Sequence, residues 1–132
     1  MSKKDMERYY ARYLTISQGD LVLINFGKKT AGCRNGGIKP CVVVSNDSSI
    51  KTEADFFVIP LYRKQSRSAG SRDILIKPVH CRGLRYEEYA HPMNMVSCHK
   101  CRVTKKIGHI KNASILEAIT LSIWDMVKDN AG

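Results

Sequence analysis

The residues best suited to chemistry are lysines and arginines gathered in two stretches. Lys28, Lys29, Arg34 and Lys39 fall within residues 19–47, and no carboxylate interrupts them. A glycine-containing run of one charge sign suits a phosphate backbone better than a plain hairpin turn. Residues 62–73 form a second polar loop. It carries Arg63, Lys64, Arg67 and Arg72 beside Tyr62, and its charge reads as one-sided too. Taken separately, each loop is also compatible with a solvated connection. Together they favour nucleic-acid handling.

Four histidines, His80, His91, His99 and His109, supply groups that could move protons near neutral pH. A lone histidine is nevertheless more often structural or on the surface. Asn94 and Ser97 fall within the run 93–98, where ordinary strand polarity is a sufficient account of them. Cys98 and Cys101 make a C-x-x-C spacing which, with His80 and Cys81, could build a zinc site. A strong zinc signature has two such pairs, and this chain has one plus a loose pair, so free, partly buried thiols are preferred. The expectation is therefore no metal and no cofactor.

The elements that must position these groups are short and mostly extended. Residues 21–26 and 41–44 are apolar runs rich in β-branched side chains, joined by the first basic loop and closed by Ser45-Asn46-Asp47. Residues 54–61 read as a third strand. Pro60 lacks an N–H, which predicts a sheet edge or strand end there. Residues 74–76 and 93–98 read as the fourth and fifth strands, with 77–89 irregular between them. Residues 101–104 could continue the fifth strand, and 106–110 alternate briefly. The C-terminal helix is the clearest element: Asn112 can cap it, and Ile115, Leu116, Ile119, Ile123, Met126 and Val127 form one stripe. Residues 1–18 read as a helical arm bearing Met6, Tyr9, Tyr10, Tyr13 and Leu14 at helical spacing, and residues 19–130 as the single main domain.

With 132 residues and 43% hydrophobic composition, the chain can build a core without staples. Its net charge of +10 favours a polyanionic partner. No apolar run reaches membrane-spanning length, and the N-terminus lacks the apolar core of a secretory signal. A cytoplasmic protein with reduced cysteines is the expectation.

The order of strand, basic loop, Gly37-x-Lys39-Pro40, apolar strand and Ser45-Asn46-Asp47 resembles the PemK/MazF family of toxins. Two later segments also match: Val58-Ile59-Pro60-Leu61-Tyr62, and residues 100–110, KCRVTKKIGHI. The resemblance covers about residues 19–128. It implies a mainly β fold (α+β), an SH3-like β-barrel with a C-terminal helix, usually as a homodimer. It implies a metal-independent endoribonuclease of a type II toxin–antitoxin system. Such enzymes cut mRNA by attack of the ribose 2′-OH and are inhibited by a cognate antitoxin that fills the RNA groove. The family's catalytic arginine aligns with Lys39 and its catalytic threonine or serine with Tyr62, and both are departures. Lys39 would stabilise the phosphorane or act as acid, and Tyr62 would hydrogen-bond a phosphate oxygen; Ser66 or Ser68 could substitute for it. Lys28, Lys29, Arg34, Arg63, Lys64 and Arg67 would bind RNA, with His91, Asn94 and Ser97 along the groove. The alternatives are a catalytically impaired RNA- or DNA-binding or interaction module on the same barrel, or a gyrase poison of the CcdB type.

Overall fold

A computed structural model describes residues 2, 16–28, 36–63, 70 and 72–128. Nearly all of the expected arm lies outside these residues. So do Lys29, Arg34, Lys64, Arg67, Ser66 and Ser68. Seven strands and two α-helices are present among the described residues: β1 (Asp20–Asn25), β2 (Ile38–Val43), α1 (Asp47–Thr52), β3 (Asp55–Tyr62), β4 (Ile74–Ile76), β5 (Glu88–Ala90), β6 (Val96–His99), β7 (Val103–His109) and α2 (Ala113–Val127). The strands form one antiparallel sheet in the order β4-β5-β3-β2-β1-β7, with β6 also paired to β3.

The central strands are apolar without interruption because both of their faces are covered. Val22, Ile24, Cys41, Val43, Phe56 and Val58 point into one core, together with Ile50 of α1 and Cys98. Leu21, Val42, Ile59 and Leu61 alternate with them and point into a second core, beneath Ile119 of α2. Ile115, Leu116 and Ile123 of the helix pack on that second core. Asn112 caps α2 by accepting the Ser114 N–H at 2.9 Å. Trp124 and Val127 stay exposed, so the inward stripe is narrower than the spacing suggests.

Several strands differ from the sequence reading. Pro60 is not at an edge, since β3 has neighbours on both sides. β6 pairs with residues 55–58 and β5 with 61–62, and the ladder between them skips Ile59 and Pro60. The missing N–H is accommodated at that gap. The segment read as irregular contains β5, and residues 103–109 form one strand, bent where its register on β1 shifts. The fifth expected strand starts later, because Pro92–Asn94 is a 3-10 turn.

Three details fix the frame. A Cβ on Gly83 would lie 1.6 Å from the Ile107 carbonyl oxygen, and one on Gly108 would lie 2.6 Å from Cys81 Sγ. Here the segment around Gly83 crosses β7 backbone against backbone. Across the base of the first loop, the Phe26 N–H donates to Gly37 O at 2.8 Å and the Gly37 N–H to Gly27 O at 2.7 Å. Both glycines hold positive φ, 74° and 70°, which side chains with a Cβ avoid. Asp20, 1% exposed, has its carboxylate met by the Ser17 N–H at 2.7 Å, Lys106 Nζ at 3.1 Å and His109 Nδ1 at 2.8 Å. This ties the start of β1 to β7.

Candidate active site

Strand register assembles the site. Ile24 pairs with Lys39, and Cys41 with Pro60. Carried two residues further, the second register sets Lys39 across from Tyr62. Tyr62 pairs in turn with Tyr89, and Tyr89 with Leu75. One cross-strand row therefore runs Ile24, Lys39, Tyr62, Tyr89, Leu75, and opposed residues share a face of the sheet. Two positions beyond Leu75 and Tyr89, on that same face by alternation, stand Asp73 and His91.

The contacts follow this layout. The Tyr62 and Tyr89 rings stack, with centroids 5.6 Å apart and planes 24° apart. The Tyr62 hydroxyl donates to Asp73 Oδ2, which also accepts the Gly70 N–H at 2.9 Å. His91 Nδ1 is bonded to Asp73 Oδ1. The Asp73 side chain is fully buried and that of His91 is 18% exposed. Burial by itself would raise the Asp73 pKa, but the hydrogen bonds from Tyr62, Gly70 and His91 outweigh it and hold the carboxyl below its usual range. Asp73 is thus an anion at neutral pH. A tyrosine has one hydroxyl proton, and that of Tyr62 goes to Asp73. The hydroxyl is therefore employed on a carboxylate, where the sequence reading had it on a phosphate oxygen.

Asp73 is the candidate site residue that sequence reasoning missed. It is the only carboxylate between Asp55 and Glu87, so the second loop is not purely basic. That isolation was the available signal. The other expected residues separate into groups. Lys28 is exposed at the base of the first loop. Arg63 is exposed too, with its guanidinium 3.8 Å from the centroid of the Tyr86 ring. Asn94 lies in the 3-10 turn, its N–H on His91 O at 2.8 Å, and not on a strand. Ser97 pairs with Phe57, five residues along β3 from Tyr62, or about 17 Å at strand spacing, and is not brought to the row.

Cys98 is buried in the first core and Cys81 in the second, so the cysteines weighed for zinc face different interiors. Cys101 is exposed. Among the described residues no group of three or more His, Cys, Asp or Glu converges. No described helix is long and apolar enough to cross a membrane.

Glu88 borders the site and is 8% exposed. Burial pushes its pKa up, and the nearby Arg63 charge only partly counters this. A carboxyl whose folded pKa is raised takes up its proton in the folded state first, so its contribution to stability grows as pH falls from neutral through that folded value. Glu88→Gln is accordingly expected to raise the urea midpoint at pH 7, with the gain shrinking toward pH 4.5. A lower midpoint for the variant at pH 7 would show that the charge is needed in place.

A family model described as PemK-like, MazF-like toxin of type II toxin-antitoxin system matches residues 17–121. No curated protein matches the sequence. Among solved structures, MazF from Deinococcus radiodurans superposes with a TM-score of 0.67 at 18% identity, covering 85% of this chain and 96% of that one. An endoribonuclease from a Mycobacterial species, solved with its cognate antitoxin, gives 0.66 at 17% identity over 84% of this chain and 93% of that one. The Mycobacterium tuberculosis toxin MazF-mt6 gives 0.63 at 14% identity, over 80% and 93%. At these identities the superpositions speak for a shared fold.

Proposed function

Because the chain belongs to the PemK-like, MazF-like toxins of type II toxin–antitoxin systems, we propose that it is a metal-independent endoribonuclease acting on single-stranded mRNA. A cognate antitoxin would restrain it, and it would work as a homodimer. The observation that carries this reading is the cross-strand row. Lys39 and Tyr62 fall on one face when the Cys41–Pro60 register is extended by two residues, and Tyr62 is bonded to the Asp73–His91 pair.

Internal cleavage of RNA needs a group to take the 2′-OH proton, a cation for the phosphorane and an acid for the leaving 5′-oxygen. The Lys39 ammonium supplies the charge and a transferable proton, though not the planar fork of an arginine. Arg63 and Lys28, both exposed, would contact the backbone on either side. Lys29, Arg34, Lys64 and Arg67 are proposed to do the same from the two loops. The antitoxin is supported by a solved relative whose structure contains its cognate antitoxin.

The test is incubation with a long RNA in EDTA, followed by mapping of the ends. Fragments bearing 2′,3′-cyclic phosphate and 5′-hydroxyl ends are expected. Intact RNA with salt-sensitive binding would establish the binding-module reading instead. Cleavage that EDTA abolishes would overturn the metal-free mechanism.

A further inference from the structure

We propose that His91 accepts the proton of the attacking ribose 2′-hydroxyl, with Asp73 as its positioning residue and Tyr62 fixing Asp73. This rests on the ribonuclease reading and assigns the proton acceptor which that reading lacks.

The geometry determines which nitrogen works. Both Asp73 oxygens are acceptors, Oδ1 toward His91 Nδ1, and Oδ2 toward the Tyr62 hydroxyl and the Gly70 N–H. An anion in that place requires Nδ1 to carry the hydrogen. The neutral ring then holds its lone pair on Nε2, which makes no hydrogen bond among the described residues. The ring keeps 18% of its surface open while its partner carboxylate has none. An orienter that is closed to water and a base that remains reachable is the division of labour expected of a proton-transfer pair.

The groups around His91 agree with this role. Asp73 meets it from the segment before β4 and Tyr62 approaches from β3. Tyr89 of β5, two residues before His91, stacks on Tyr62. Lys39 stands across from Tyr62 by register, with a positive charge. Asp125 of α2 is engaged elsewhere, by Arg72 at 3.2 Å. Among the described residues Asp73 is the one carboxylate in contact with the ring, and it is positioned to stabilise the imidazolium as it forms.

The step balances without any further reactant. The O2′–H proton passes to Nε2 and the O2′–P bond forms. The P–O5′ bond breaks, and the 5′-oxygen leaves with a proton from the Lys39 ammonium. The products are a 2′,3′-cyclic phosphate and a 5′-hydroxyl. Solvent then deprotonates His91 and reprotonates Lys39.

The test uses single-turnover cleavage of the same RNA in EDTA from pH 5.5 to 8.5, with RNA affinity and circular dichroism measured in parallel. His91→Gln is expected to slow cleavage by about 100-fold and to remove the acid limb of the pH–rate profile, with affinity changed less than about threefold. Asp73→Asn is expected to cost about tenfold in rate at similar affinity, because it misorients the ring without removing it. Tens of millimolar imidazole should restore at least about tenfold to folded His91→Gly, which a merely structural histidine would not allow. A His91→Gln protein that cuts at the wild-type rate with the wild-type pH profile overturns this proposal and leaves the ribonuclease reading standing. A wild-type protein that yields no cyclic-phosphate ends overturns the ribonuclease reading, and the proposal falls with it.

Discussion

Lys39→Ala should lower RNA cleavage by about a thousandfold, while Lys39→Arg, which keeps the charge but does not release its proton to the leaving oxygen, should recover only part of that loss. The phosphorane gathers negative charge that the ground-state diester lacks, so a fixed cation beside it acts chiefly on the transition state. Losing one such donor from a partly closed site costs on the order of 100- to 1,000-fold. Lys39 is half-buried in β2, and its charge is felt at the buried Cys41 thiol, where it opposes the upward push of burial on that pKa. A half-buried ammonium is screened less by solvent than a fully exposed one. Single-turnover rates and RNA affinities for the two variants and Lys39→Met separate charge from chain length. If Lys39→Met cuts as fast as the parent, the charge has no part in the chemistry. A small affinity loss beside a large rate loss places the residue in the transition state rather than in general backbone binding.

Gly83→Ala is expected to destabilise the fold by roughly 3 kcal/mol or more, the upper end of what overpacking does. The added methyl would sit 1.6 Å from the Ile107 carbonyl oxygen, and a backbone atom cannot rotate out of the way as a side chain can. Either the segment carrying Cys81 and Leu84 lifts away from the second core or β7 shifts from its register on β1. Urea denaturation gives the comparison, with Gly37→Ala as a control. A Cβ on Gly37 meets nothing within 4 Å, so that variant suffers only the strain of its positive φ. Equal midpoints for Gly83→Ala and the parent would show that the two backbones do not cross as closely as described.

The parts of this fold that could be read from the chain were those whose signal is local. β1, β2 and β3 announce themselves because residues 21–24, 41–43 and 58–61 are apolar on both faces, and α2 because its apolar residues recur at helical spacing behind Asn112. β5 was hidden, since Glu88-Tyr89-Ala90 has neither length nor alternation, and only pairing with β3 and β4 makes it a strand. Residues 103–109 looked like two pieces because Lys105, Lys106 and Gly108 break the apolar pattern of a strand that takes much of its support from β1. Lys39 and Tyr62 could be picked out by type and by resemblance, but their opposition is a matter of register. Asp73 had no local mark beyond its lone negative charge. Its role comes from tertiary pairing, where Ile74 lies against Ala90 and so brings Asp73 to His91. The proline reading failed for a related reason: a missing donor needs an absent acceptor, and a gap between two partner strands provides that as well as an edge does.

The pair of main-chain bonds that closes the base of the first loop has an engineering consequence. Phe26, Gly27 and Gly37 form a socket, and Lys39 belongs to the socket side, fixed by its place opposite Ile24. The chain plugged into that socket can be exchanged for a longer or different cassette at an entropic cost of only about 0.6 kcal/mol per doubling of length. The anchor points of that loop and the place of Lys39 in β2 are therefore set by the same backbone bonds, whatever sequence the loop carries. A graft between Gly27 and Gly37 is expected to leave Lys39 opposite Ile24, where the strand holds it.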